Sequence, residues 1–109
     1  MKGKIVLVPF PFTDLTAAKL RPALVLYEGE KDVILAFISS KIPDNVSDLD
    51  VLILSSQNGF IKTGLKTDSI IRLDKLATIL KDLVVGELGE IDDSIKQEIN
   101  DKLIKIIRL

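Results

Sequence analysis

Residues 21–39, RPALVLYEGEKDVILAFIS, contain two apolar runs separated by a short charged segment. Each run has the length and the content of β-branched and other apolar residues typical of a β-strand. The segment between them, residues 28–32, places Gly29 among charged residues, as tight turns often do. We therefore predict a β-hairpin, with the almost wholly apolar residues 33–39 as a central strand covered on both faces.

Further strands are predicted on both sides of this hairpin. Residues 5–8, followed by Phe10 and Phe12, predict a short buried strand that ends at a bend containing two prolines. Residues 13–20 are polar or small and predict a loop. Residues 51–54 and 70–74 predict a fourth and a fifth strand, with a loop at 42–48 and turns at Asn58-Gly59 and Thr63-Gly64. Residues 81–89 predict a short turn with two glycine breaks.

The apolar spacing changes after Ile91. Apolar residues then recur at helical intervals, and Asp92 or Asp93 can cap the helix and favour its dipole. The apolar stripe consists of Ile95, Ile99, Leu103, Ile106 and Ile107. Four or five short strands followed by one amphipathic helix indicate a mainly β (α+β) fold, a small bent barrel or sandwich. We expect one domain over residues 1–109.

The composition excludes several classes of site. The chain has 109 residues, 47% of them hydrophobic, with no Cys and no His, so thiol or histidine catalysis and zinc–thiolate sites are impossible. The net charge is −1, but it is +2 over residues 1–81 and −3 over residues 82–109. An anionic ligand should therefore meet the first part of the chain. With no apolar run near 18 residues and no secretory signal, we expect a cytoplasmic protein without a membrane partner.

Polar residues beside the predicted strands include candidate catalytic side chains. Arg21 opens a strand, Ser39 and Ser40 end one, and Arg72 and Asp74 lie two apart on one strand face. Taken singly, they are typical of surface charges, turn residues and an exposed ion pair. Together, guanidinium groups suit phosphate oxygens, hydroxyls can donate to them, and a carboxylate can accept a proton. This set fits phosphodiester cleavage by the 2′-hydroxyl of RNA, without a metal or other cofactor.

At this point the chain resembles the PemK/MazF-like toxins of type II toxin–antitoxin systems over nearly its whole length. The order and spacing of five blocks carry the resemblance. They are GKIVLVPFPFTD (residues 3–14), KLRPALVL (19–26), ILAFISS (34–40), TGL (63–65) and DSIIRLDKLATI (68–79).

The resemblance implies an SH3-like barrel of the CcdB/PemK type with a terminal helix, assembled as a homodimer. It implies a metal-independent, sequence-selective endoribonuclease, or mRNA interferase. This hydrolase cleaves single-stranded mRNA to a 2′,3′-cyclic phosphate and a 5′-hydroxyl and so inhibits growth. A cognate antitoxin protein covers the RNA groove, and operator DNA is bound only through the toxin–antitoxin complex.

The resemblance also assigns roles by position. Arg21 matches the arginine that members place at the scissile phosphate, Ser39 lies where many have a catalytic threonine, and Arg72 and Asp74 match an acid–base pair of one branch. Some members have a histidine in the first loop, and this chain has none. We expect Asp74 to take the 2′-hydroxyl proton, Arg72 to stabilise charge, and the loop over residues 13–20 to gate the groove. The expected RNA-binding residues are Thr13, Lys19, Ser40, Lys41 and Lys75.

Two other interpretations stay open. One is a non-catalytic binding module on the same fold, either a gyrase poison as in the related CcdB-like branch or a DNA-binding toxin–antitoxin component. Gyrase poisoning uses the end of the helix, and here residues 104–109 are mostly of the packing type, which makes this reading less favourable. The other is a purely structural dimer subunit.

Overall fold

The computed structural model describes residues 1–10 and 19–109. Six strands form one antiparallel sheet in the order β4-β5-β3-β2-β1-β6. The elements are β1 (Lys4–Phe10), β2 (Lys19–Glu28), β3 (Asp32–Ser39), β4 (Asp50–Ile53), α1 (Phe60–Thr63), β5 (Ser69–Leu80), a 3₁₀ turn (Lys81–Leu83), β6 (Gly86–Glu90) and α2 (Asp93–Ile107). The sheet is curled into a half-barrel with the helix at its C-terminal end, which confirms the predicted mainly β barrel fold.

The predicted hairpin and its central strand are confirmed. The amide of Gly29 donates to the carbonyl of Asp32 at 2.8 Å and closes the turn between β2 and β3. β3 lies between β2 and β5, and its alternate residues enter two different cores. Leu35 belongs to the core formed with β1 and β2, whereas Ile38 belongs to the core formed with β4 and α2. Both faces of β3 are therefore covered, as its apolar run requires.

A bulge interrupts β5 where it passes β3. Phe37 pairs with Arg72, but the preceding residue Ala36 pairs with Leu76. The intervening residues 73–75 have no partner on β3, so the strand bends there and displays the side chains of Asp74 and Lys75.

Several segments differ from the sequence prediction, and one of them is the short helix α1 between the two predicted turns. Residues 19 and 20 belong to β2 rather than to a loop, because Lys19 and Leu20 pair with the end of β1. Residues 86–90 form a sixth strand, which the prediction of a turn over 81–89 missed. Among the described strands β6 pairs with β1 alone, at the edge of the sheet, and Gly89 lets it pass close to α1, since a Cβ there would clash with the Lys62 carbonyl.

The C-terminal helix is confirmed, and Asp92 caps it by accepting from the amide of Ile95 at 2.9 Å. Ile95 and Ile99 are buried against the sheet. The expectation of packing at the end of the chain is wrong for Ile104 and Ile107, which are 57% and 64% exposed. The sheet covers one side of the helix only, so apolar residues on its far side lie in solvent. In the described ranges, 1–10 and 19–109, no helix is long and apolar enough to cross a membrane.

Candidate active site

An open groove of about 720 Å³ lies at one end of the sheet, where β1 and β3 end and β2 and β5 begin. Its lining is largely apolar and includes Phe10 and Phe37, whose rings meet edge to face with centroids 5.3 Å apart. Leu65 and Leu88 also line it. Such a surface offers apolar contact to flat ligand groups, while the polar groups described next surround it.

Four cationic side chains line this groove, and no carboxylate of the described residues does. They are Arg21, Lys41, Lys66 and Lys75, and all four are exposed. Within the part of the chain that the structure describes, none of them forms an ion pair, whereas Lys4, Lys62, Lys81, Lys96 and Lys102 all do. The groove is therefore a positively charged region on a chain whose net charge is −1.

The hydroxyl groups at the groove differ in what they can donate. Ser39 is half-buried, and its Oγ accepts from the Lys41 amide at 3.1 Å, which leaves its own O–H to donate. Ser40 is exposed beside it. Ser69 is buried, and its Oγ already donates to the Thr67 carbonyl at 2.9 Å. Ser39 and Ser40 are thus the better placed donors for a ligand.

The segment over residues 64–69 forms one wall of the groove. Gly64 ends α1 in the left-handed conformation, with φ of 73°, and a Cβ there would lie 2.2 Å from the Leu88 carbonyl. Asp68 accepts from the amide of Ser55 at 2.6 Å. This backbone hydrogen bond is the main cause that lowers the pKa of Asp68 below its usual value. The glycine and the carboxylate together fix where the wall stands.

A cluster of three charged side chains lies next to the groove. Arg72 Nε is 3.1 Å from Asp50 Oδ1 and 3.4 Å from Asp74 Oδ1, and Arg72 Nη2 is 3.5 Å from Asp74 Oδ2. Asp50 is only 4% exposed, whereas Arg72 and Asp74 keep about a third of their side-chain surface in solvent. The contact to Asp50 is an ion pair without an aligned hydrogen bond.

Strand pairing brings this cluster towards the groove. One row crosses four strands and pairs Ala23 with Phe37, Phe37 with Arg72, and Arg72 with Asp50. Arg21 and Ser39 each lie two residues from this row on the adjacent strands β2 and β3, so their side chains leave the same face. Ser39 and Arg72 are diagonal neighbours, for which Cα atoms lie about 7–8 Å apart. The side chains of Arg21 and Arg72 both begin at Cα atoms close enough for their guanidinium groups to reach Ser39.

The structure thus brings together most of the predicted site residues. Those that line the groove are Arg21, Ser39, Ser40, Lys41 and Lys75. Arg72 and Asp74 contact each other beside it and do not line it. Lys19 is exposed at the start of β2 outside the groove lining, and Thr13 lies outside the described residues.

Two residues of the site were not predicted. Lys66 follows the Thr63-Gly64 turn, and only the packing of that turn against β6 places it at the groove. Asp50 is the first residue of β4, but in the sequence it directly precedes the strand predicted at residues 51–54, a position where an acidic residue normally marks a turn. Among residues 1–10 and 19–109 there is no group of three or more acidic side chains that could hold a metal ion.

Solved structures of the same fold give a first comparison. A Mycobacterium tuberculosis protein described as "toxin MazF-mt6" matches with a TM-score of 0.74 at 18% identity, over 97% of both chains. A mycobacterial "Endoribonuclease in complex with its cognate antitoxin" matches with a TM-score of 0.75 at 17% identity, over 100% of this chain and 95% of that one. A MazF of Deinococcus radiodurans gives 0.72 at 16% identity, over 99% and 96%. At these identities the likeness shows the fold alone.

The sequence itself gives the family. No curated protein matches the chain. The model of the family described as "PemK-like, MazF-like toxin of type II toxin-antitoxin system" matches residues 1–107, almost the entire sequence. With a match of that extent and a fold shared over whole chains, this protein belongs to the PemK-like, MazF-like toxins of type II toxin–antitoxin systems.

Proposed function

We propose that this protein is a sequence-selective endoribonuclease that cleaves single-stranded mRNA in the groove described above and so inhibits growth. The observation that carries the proposal is the groove's charge: within residues 1–10 and 19–109, its four cations form no ion pair and no carboxylate lines it. Such a groove attracts a phosphodiester backbone, and its apolar lining suits unstacked bases. The mycobacterial neighbour described as an endoribonuclease shares the fold and supports the proposal.

The proposed reaction begins at the 2′-hydroxyl next to the scissile phosphate. Asp74 accepts its proton, the 2′-oxygen bonds to phosphorus, the bond to the 5′-oxygen breaks, and the departing 5′-oxygen takes a proton from water. The products are a 2′,3′-cyclic phosphate and a 5′-hydroxyl. Because a guanidinium keeps its proton at physiological pH, we assign Arg72 to stabilising the negative charge that develops on the phosphate.

Other residues hold the substrate. Arg21 and Ser39 donate to the non-bridging oxygens, since a guanidinium and a free O–H both suit phosphate. Ser40, Lys41 and Lys75 contact the neighbouring backbone in the same groove. Lys19, at the start of β2, is a further proposed RNA contact, and so is Thr13, which lies outside the described residues. No step uses a metal ion or a cofactor.

The proposal includes protein partners. The neighbour that is solved with its cognate antitoxin supports an antitoxin partner for this chain. We propose that the antitoxin covers the groove, that operator DNA is bound only through the complex, and that the toxin itself is a homodimer. Exposed apolar side chains such as Ile104, Ile107 and Tyr27 provide surface that a partner can bury.

The test is cleavage of a varied RNA pool in excess EDTA. We expect the wild type to cleave, with ends that map as a 2′,3′-cyclic phosphate and a 5′-hydroxyl. Arg21→Ala should cleave at least about 100-fold more slowly, as expected on losing a charge-stabilising donor. Arg108→Ala is the matched control, because Arg108 is an exposed arginine away from the groove.

Two outcomes would contradict the proposal. One is a wild type that leaves the whole pool intact, and the other is equal cleavage by the wild type and Arg21→Ala. In cells, DNA-damage signalling without loss of mRNA would favour the gyrase alternative instead.

A further inference from the structure

We propose that Asp50 is a positioning residue, which holds the guanidinium of Arg72 in place for its work beside Asp74. The inference rests on the proposed function, since it concerns the same reaction. It adds a residue that touches no substrate and that acts through another side chain.

The first argument is the burial of the contact. Asp50 Oδ1 and Arg72 Nε are both shielded from solvent, and within the described part of the chain neither forms an aligned hydrogen bond, so that the ion pair is what compensates their charges. They lie 3.1 Å apart. An ionised carboxylate removed from water is very unfavourable unless it is paired. Each group therefore depends on the other, and Arg72 cannot turn away without leaving Asp50 unpaired.

The second argument is that Asp50 itself is held from several sides. Its Oδ2 accepts from the Ser47 amide at 3.1 Å, and its carbonyl accepts from Lys102 Nζ of α2 at 2.6 Å. Its strand pairs with β5 directly at Arg72. A carboxylate fixed by a loop, a helix and a strand gives the guanidinium a rigid anchor, which is what a precise site needs.

The third argument concerns which groups of Arg72 and Asp74 remain available for the reaction. Arg72 uses Nε toward both carboxylates and Nη2 toward Asp74, so the two N–H groups of Nη1 have no partner in the described residues. The contacts to Asp74, 3.4 and 3.5 Å, are longer than the roughly 2.7–2.9 Å of a strong charge-assisted pair. Asp50 thus shares the guanidinium and keeps Asp74 from forming a tight bidentate pair with it. Asp74 stays available to take a proton.

The test compares Asp50→Asn with Asp48→Asn, which makes the same chemical change at an exposed position two residues away. For Asp50→Asn we expect kcat to fall by about 10–100-fold with KM changed less than about 3-fold, because misplacement of a reacting group slows chemistry. Asp48→Asn should keep the wild-type kcat and KM.

A second comparison separates positioning from a general loss of stability. In an Arg72→Gln background, adding Asp50→Asn should leave the residual kcat unchanged, because the positioned group is already gone. The same addition should raise the unfolding temperature of Arg72→Gln, since it removes a buried charge without a partner. A further fall of kcat in the double variant would overturn the inference.

The anchoring of Arg72 can also be tested in the wild type, by measuring hydrogen exchange of its Nε–H group. The chain has three arginines, at 21, 72 and 108, so three Nε–H signals are expected in a nitrogen-15 spectrum. The signal of Arg72 should exchange with water at least about 10-fold more slowly than those of Arg21 and Arg108, which are exposed. Equal exchange rates for the three would refute the anchoring.

The two proposals fail in different ways. If the wild type cleaves and Asp50→Asn matches its kcat, the inference falls and the proposed function stands. If the folded wild type cleaves no RNA, the proposed function falls, and the catalytic role of Asp50 falls with it.

Discussion

The strongest quantitative prediction concerns the salt dependence of RNA binding. Binding of Z phosphates by cationic groups makes log K fall with log salt at a slope of about −0.7Z for single strands. Four cations line the groove, at positions 21, 41, 66 and 75. If each meets one phosphate, the slope is about −2.8, and affinity falls roughly 50-fold between 50 and 200 mM salt.

The perturbation is removal of one groove charge at a time. Lys66→Gln should bring the slope to about −2.1, so that the same change of salt costs only about 18-fold in affinity. Lys66 is the informative position because the sequence prediction did not include it. Lys105→Gln is the matched control, since Lys105 is exposed on α2 away from the groove.

The assay is fluorescence anisotropy with a single-stranded RNA whose 2′-hydroxyls are methylated, so that binding is measured without cleavage. Titrations at five salt concentrations give each slope. A wild-type slope near zero would refute the assignment of the groove to a phosphate backbone. So would a Lys105→Gln slope that changes as much as that of Lys66→Gln.

Three further predictions concern the groove and its wall. Ser39→Ala should lower kcat about 10–1,000-fold, whereas Ser39→Thr should keep most of the wild-type kcat, because the hydroxyl is the group that donates to phosphate. Single-turnover cleavage measures the rate of each variant. Gly64→Ala should lower the free energy of unfolding in urea by more than about 1 kcal/mol, because φ is 73° there and the new Cβ meets the Leu88 carbonyl. The control is Gly86→Ala, which has open space around it and should change the free energy of unfolding by less than about 0.5 kcal/mol. Asp68 has a lowered pKa, so its stabilising contribution is complete above its unfolded value of 3.8 and is lost as the pH falls through the folded value. Thermal unfolding of Asp68→Asn from pH 6 to pH 2.5 should therefore lack part of the acid destabilisation of the wild type, and identical profiles would contradict this.

The hairpin could be predicted from sequence because its information is local. Two apolar runs flank a charged turn with Gly29, and every residue needed for the decision lies within residues 21–39. The helix cap at Asp92 was equally accessible, since a cap and its stripe lie in one continuous segment.

β6 could not be predicted for the opposite reason. Its sequence, GELGE, has two glycines and only one apolar side chain, so neither composition nor alternation favours a strand. It is a strand because the distant β1 presents an edge to it, with Lys4 opposite Glu90 and Leu7 opposite Gly86. Tertiary pairing overrides the local preference there.

The site divides in the same way. Arg21 and Ser39 lie within two residues of strand ends that the sequence predicts, so their meeting at one end of the sheet could be expected. The burial of Asp50 arises from its pairing with Arg72, 22 positions further along the chain, and no local pattern reports it. Lys66 likewise depends on where the Gly64 turn packs.

The bulge in β5 has a consequence for how this chain tolerates changes of length. Ile71 and Leu73 enter the core shared with α2, whereas Ala77 and Ile79, which are also odd-numbered, pack in the core formed with β1 and β2. The three extra residues 73–75 therefore reverse the side-chain alternation of β5, and each half of the strand keeps its own pairs with β3. Loss or gain of one residue at 74 or 75 should change the length of the bulge and leave both sets of pairs in register, whereas the same change at 77–79 should shift the register. A library of insertions and deletions selected for solubility should therefore accept such changes at 74 and 75 and reject them at 77–79.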